Sequence, residues 1–375
     1  MNPMNIKFST MRLACAGAGI VVAIWATGCA QVSENPNRKT MEIPVFPPPP
    51  EAPRLVWERT LHSSADVTLD DKDGSLRRMV TGEARTGEGL AKPYGVAVRN
   101  GRVYVGDTVS RSVVLFDLNA KLHSHIGIDD PGSLRMPFGI DIDSHNNVYV
   151  LDGTLKRVHV YDAKGKFVRM IGQNIKWSRP AGLALDEVRN RIYVVDAGGV
   201  DSEDHRVRAL DLETGNLLFD IGKRGDGPGE FNLPRDAVVG ADGLLYVVDG
   251  GNFRVQVFDA EGKFVKTFGA IGRQGGQFSR PKEIAADAQG NIYVADSAFG
   301  NFQIFDRDGA LLLDVGSRSS TDAPAKFMLP SGIAVDLDGR VYMVDQYFRK
   351  VEVFRPAQLP ASAAYGQPAG STAAR

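Results

Sequence analysis

Two dipeptides of opposite charge stand at matching places in this chain: Arg235-Asp236 in "NLPRDAVV" and Lys282-Glu283 in "SRPKEIAA". Four related stretches carry glycine where these two carry the acid: Tyr94-Gly95, Phe138-Gly139, Ala181-Gly182 and Ser331-Gly332. A third irregularity, "AGGVDSEDH", adds Asp201, Glu203, Asp204 and His205. These eight residues form the candidate ligand-binding set, suited to a polar or cationic group. The competing expectation is that the charges pair across neighbouring units and only solvate an entrance, since structural ion pairs also perturb charged groups.

Other residues capable of chemistry fall short of a complete motif. His123 and His125 in "KLHSHIG" alternate onto one strand face, and metal binding there would need further ligands. "LDDKDGSL", Leu69 to Leu76, lacks the first acidic ligand and the closing Glu of an EF-hand, so it reads as a turn. The glycine-rich links Gly222–Gly229 and Gly269–Gly276 lead into strands, so no helix N-terminus or P-loop lysine completes a phosphate cradle. The reading therefore includes no metal ligands and no cofactor.

The elements that position these residues repeat. Prolines at 93, 137, 180, 234, 281 and 330 are spaced 44, 43, 54, 47 and 49 residues apart. Each is followed by a "YVxD"-like anchor, from Tyr104 to Tyr342, and then by a third apolar stretch such as "VQVFD". A period of 40–50 residues denotes a repeat architecture. Short alternating stretches separated by "ADG", "LDG" and "AEG" turns make each unit a four-stranded antiparallel meander. Six such units predict an all-β, six-bladed β-propeller over 55–356, its strands apolar on both faces because each blade packs against two neighbours. The sixth unit supplies only three strands, so "RLVWERTL", Arg54 to Leu61, is expected to close the last blade and remove an exposed edge.

In a meander, the loop before strand one and the loop after strand two share a face, so the prolines and the "YVxD" aspartates mark one mouth of the ring. An Asp in all six units points to a structural task, its carboxylate accepting N–H groups of the following turn. Glycine after proline permits tight backbone near the axis. From that Asp to the next strand is six residues in five units and eleven in the third, Asp196 to Val207. The five extra residues lie in "AGGVDSEDH", on the same mouth.

"GDGPGEFNLPRDAVV" with "GLLYVVDGGNFRVQVFD", and the matching stretch of the next unit, resemble NHL repeats; the whole is similar to bacterial NHL-type propeller lipoproteins. The likeness extends to peptidyl-hydroxyglycine amidating lyases, which implies an alternative function as a metal-dependent lyase or hydrolase, with zinc held by histidines from several blades. The related column here reads Arg111, Lys156, His205, Phe253, Gly300 and Arg349, a single histidine where a catalytic zinc wants about three ligands.

At the N-terminus, residues 1–28 carry Lys7, Arg12, no acid and an apolar run from Leu13 to Ala26, the pattern of an export signal. "ATGCAQ" resembles a bacterial lipobox, with Cys29 the lipidated first residue of the mature chain. Ala30 resembles the context of lipoproteins sent to the outer membrane. Residues 29–54 read as a proline-rich tether and 357–375 as a disordered tail. Taking Lys7 and Arg12 from 44 Lys+Arg leaves 42 against 45 Asp+Glu, a net of −3, which opposes a nucleic-acid partner. The expectation is a monomeric, lipid-anchored binding or scaffold module on the periplasmic side of the outer membrane. Its partner would be an envelope protein, a peptide or another polar ligand.

Overall fold

The computed structural model describes residues 42–69, 81 and 86–366. The export signal and Cys29 lie outside the described residues. Among those described, no helix is long and apolar enough to cross a membrane.

Residues from 43 onward form six antiparallel sheets arranged as propeller blades. The innermost strands are Pro93–Arg99, Pro137–Ile142, Pro180–Asp186, Pro234–Val239, Pro281–Ala286 and Pro330–Val335. Each begins at a proline, whose missing N–H is tolerated at a strand's first position. Each proline pairs with the aspartate ending strand two, as Pro93 with Asp107 and Pro330 with Asp345, so both mark one end of the ring.

Apolar side chains from adjacent blades interleave in six clusters, one at each blade–blade seam. Between blades four and five, for example, Tyr246, Val248, Val255 and Val257 meet Ile284, Ile292 and Val294, all of them buried. A blade is therefore apolar on both faces, as the near-continuous runs in the sequence require. The glycines after proline are needed by contact. A Cβ on Gly95 would lie 1.9 Å from the Phe138 carbonyl oxygen, and one on Gly332 would lie 2.5 Å from that of Tyr94.

The ring closes as expected. Leu55–Leu61 pairs antiparallel with Lys350–Pro356 in the last blade. Two boundaries differ from the sequence reading. The tether does not extend to residue 54, because Val45–Phe46 adds a fifth strand to that blade. Phe46, half-buried, meets Phe354 edge-on at 6.0 Å and so packs against the apolar seam of that blade.

The tail is likewise ordered to residue 366. Tyr365 is buried over the guanidinium of Arg340, 4.4 Å from the ring centroid, and its hydroxyl lies 3.3 Å from Glu58. Arg340 itself is enclosed and paired with Glu58 and Asp338. One aromatic residue with a cation beneath it anchors a stretch whose small, polar composition conceals it.

Candidate functional site

The six strand-two aspartates are fully buried and act as locks. In blade five, Asp296 accepts the Ser279 and Arg280 N–H groups on one oxygen and those of Ala298 and Phe299 on the other. Asp107, Asp152 and Asp345 repeat the pattern. The contact with the following turn is the one expected. The second contact, to the segment leading into strand one, is a tertiary addition that ties the outside of the ring to its axis.

The loop of blade three turns its histidine inward. His205 is fully buried; its Nδ1 accepts the Leu233 N–H at 3.2 Å and its Nε2 donates to the Gly199 carbonyl at 2.9 Å. In blade four Asp249 accepts the Asn232 N–H on one oxygen and the side chains of Asn252, Arg254 and Gln256 on the other, and His205 serves the Leu233 N–H. His205 is thus removed from the ligand set, because both ring nitrogens are occupied by backbone. Of its loop neighbours, Asp204 pairs with Arg206, Glu203 lies 3.3 Å from Arg224, and Asp201 is exposed. The column containing His205 has a backbone cause. Arg111, Lys156, Phe253, Gly300 and Arg349 all have φ between 53° and 68°, the left-handed turn conformation.

Arg235, Asp236, Lys282 and Glu283 do come together, at the axial channel. Asp236 and Glu283 point into a cavity of about 120 Å³, joined by a third acid, Asp141 of blade two. Each accepts a backbone N–H from the next blade: Asp141 from Leu185 at 2.9 Å, Asp236 from Ile284 at 3.2 Å, Glu283 from Ile333. Gly182 makes room for Asp236, whose oxygen would be 2.2 Å from a Cβ there. Burial pushes Asp141 up to about 6 and Asp236 to about 7, and burial together with Asp236 raises Glu283 well above the carboxylate range. Removing water disfavours the charged form, so these acids give up their protons at higher pH than exposed carboxylates do. Asp141 was missed in the sequence, where a signal existed: the same position holds Ala97, Ala184, Val238, Ala285 and Ala334.

The expected ion pairs across blades are not made. Among the described residues, no carboxylate lies within salt-bridge distance of Arg235 or Lys282. Burial lowers Lys282 to about 8, against the pull of Glu283. Tyr94, near enough to Arg235 to feel its charge, packs on Phe138 with centroids 4.8 Å apart, and burial and Glu283 push Tyr94 up to about 12. Exposed Lys92, Arg111, Arg179, Arg280 and Arg349 stand around the same mouth. Turns at the opposite end carry Asp162, Asp211, Asp259 and Asp306. The mouth thus carries these cations together with Asp201, Glu203 and Asp204 of the blade-three loop.

Residues 231–258 match the NHL repeat. Mouse NHL repeat-containing protein 3 is 30% identical over 155 residues, 41% of this chain and 41% of its own length. Its human counterpart is 26% identical over 182 residues, 43% of this chain and 50% of its own. The chain thus spans half or less of the length of these relatives. Among solved structures, a Bacteroides thetaiotaomicron protein of unknown function superposes with a TM-score of 0.60 at 16% identity, covering 80% of this chain and 75% of that one. A gluconolactonase from Xanthomonas campestris gives 0.55 at 15%, covering 71% and 86%. A streptogramin B lyase gives 0.52 at 13%, covering 71% and 94%. At such identities the likeness concerns the fold alone. Repeat match and ring agree on one statement: this is a six-bladed β-propeller carrying an NHL repeat.

Proposed function

We infer that the protein is a binding module whose channel mouth captures a partner through an anionic group, such as a carboxylate-bearing peptide segment. The observation that carries this reading is the pair Arg235 and Lys282, close enough to feel each other's charge and, among the described residues, without a carboxylate in salt-bridge distance, with Tyr94 near Arg235. Burial disfavours ionisation of the acids beneath them, which lessens how far those acids neutralise the mouth. A cation in a partly dehydrated site gains more from an incoming anion than one in open water. The surrounding basic rim would steer such a partner toward the axis. This replaces the cationic ligand expected from the acids alone.

The test is titration calorimetry with a short Glu-rich peptide and a Lys-rich control. The acidic peptide should bind and the basic one should not. Arg235→Ala/Lys282→Ala should weaken capture at least ~10-fold, as for truncated charge contacts. Equal binding of both peptides, or no loss in the double variant, would sink the reading. The anchored, envelope-side setting belongs to the same proposal and rests on the residues around Cys29. Cys29→Ser should move the protein from the membrane to the soluble fraction, and unchanged membrane retention would refute that part.

A further inference from the structure

His123 and His125 lie on Leu122–Ile126, the outermost strand of blade one, with their rings edge to face at 5.2 Å. Two histidines are too few to hold a metal, and the strand supplies no third ligand. The chain supplies it from elsewhere: Glu88, on the segment leading into the blade, brings Oε1 to 3.0 Å from His125 Nε2. One ligand atom from each of Glu88, His123 and His125 lies within 4.8 Å of the others.

The surroundings hold these groups in place. The Glu88 carbonyl accepts the Ser64 N–H at 2.8 Å and its own N–H donates to the Ser64 hydroxyl at 2.9 Å. Neighbouring Gly87 is pressed against the turn, where a Cβ would meet the Ala65 nitrogen at 2.5 Å. His125 Nδ1 contacts the Ser112 hydroxyl at 2.9 Å, which orients the ring with Nε2 toward Glu88. That is the outer-shell hydrogen bond metal-binding histidines ordinarily have.

We propose that Glu88, His123 and His125 form a binding site for a divalent transition ion, best suited to Zn²⁺, on the outer rim of blade one. Two imidazoles and one carboxylate are a zinc donor set, leaving a fourth tetrahedral position for water or an exogenous ligand. Ligand atoms around zinc stand about 3.3 Å apart for bonds of about 2.0–2.1 Å. The Glu88–His125 separation already approaches that value, and rotation of the half-exposed His123 ring supplies the remaining closure. Both Glu88 and His125 bind the ion in place of their direct contact, and the ion so clips the leading segment to the outer strand. The site is separate from the channel mouth and does not depend on what binds there.

The test uses the full-length protein, stripped with chelator and titrated with Co²⁺, followed by displacement with Zn²⁺. One equivalent of Co²⁺ should give the visible bands of a four-coordinate ion, and Zn²⁺ should abolish them. His123→Ala and His125→Ala should each weaken binding at least ~100-fold. Ser112→Ala, which leaves all three ligands, should cost about 10-fold, the range of outer-shell contacts. His62→Ala, at a histidine outside the cluster, should change nothing. Circular dichroism on each variant separates lost ligation from lost fold; if an alanine variant unfolds, His125→Gln takes its place. No stoichiometric uptake at micromolar metal, or uptake unchanged in folded His123 and His125 variants, overturns the proposal.

Discussion

The blade-three loop and the channel mouth both break the repeat with polar residues, yet they use them in opposite ways. In the loop, His205 fills both ring nitrogens with backbone contacts, and Asp204 and Glu203 find Arg206 and Arg224. At the mouth, Arg235 and Lys282 have no carboxylate within salt-bridge distance among the described residues, and burial pushes Asp236 and Glu283 toward their neutral forms. An irregular sequence by itself therefore does not mark a site. The distinguishing property is whether the polar groups are already satisfied, because only unsatisfied ones gain from a ligand.

The sharpest way to break the comparison is to remove a lock that belongs to neither region. Asp296→Ala leaves four partly buried N–H groups without their acceptor and should cost about 4 kcal/mol in chemical denaturation. Loss of under 1 kcal/mol would mean that water replaces the carboxylate. His205→Ala comes next, at about 3 kcal/mol from an orphaned N–H and a cavity, with acidic-peptide affinity unchanged. A large affinity loss with intact stability would return His205 to the binding set.

Arg235→Ala/Lys282→Ala should show the reverse pattern, with affinity down at least ~10-fold and stability within about 0.5 kcal/mol. Wild-type affinity should also fall as pH rises past about 8, where Lys282 loses its charge. A flat calorimetric pH profile would exclude Lys282 as a contact.

A smaller effect is expected at Asp236. Its pKa is raised on folding, to about 7, so the folded state binds more protons than the unfolded one between the ordinary carboxylate range and that value. Its contribution is therefore intact at low pH and is lost as pH rises through about 7. Asp236→Asn should stabilise the protein by about 1–2 kcal/mol at pH 8 and by little at pH 4. Equal effects at both values would show that Asp236 does not titrate abnormally. Smallest of all, Asp201→Ala and Glu203→Ala should change stability and capture by less than about 0.5 kcal/mol, as exposed positions do. A clear loss of capture would bring the loop back into the site.

Much of the ring was legible because its signals are local. Proline at the start of strand one, Asp at the end of strand two and glycine beside the axis recur in sequence at the same offsets. Even the closing strand could be found, since the last unit lacked its fourth member. Asp141 was less legible, an acid in a column of small apolar residues whose proximity to Asp236 depends on blades two and four meeting across the channel. Glu88 had no signal at all, because nothing local relates it to His125.

The sequence by itself determined the number of blades, their order and the mouth at which the prolines and aspartates meet. Short apolar strands and turns at fixed offsets are properties of neighbouring residues, and hydrophobic packing then leaves one way to close the ring. Only the tertiary structure decided that His205 is held by backbone, that burial raises the pKa values of the channel acids and that Arg235 and Lys282 lie outside salt-bridge distance of any described carboxylate. Each of those depends on the dielectric surroundings and partners of a polar atom, and other blades dozens of residues away provide them.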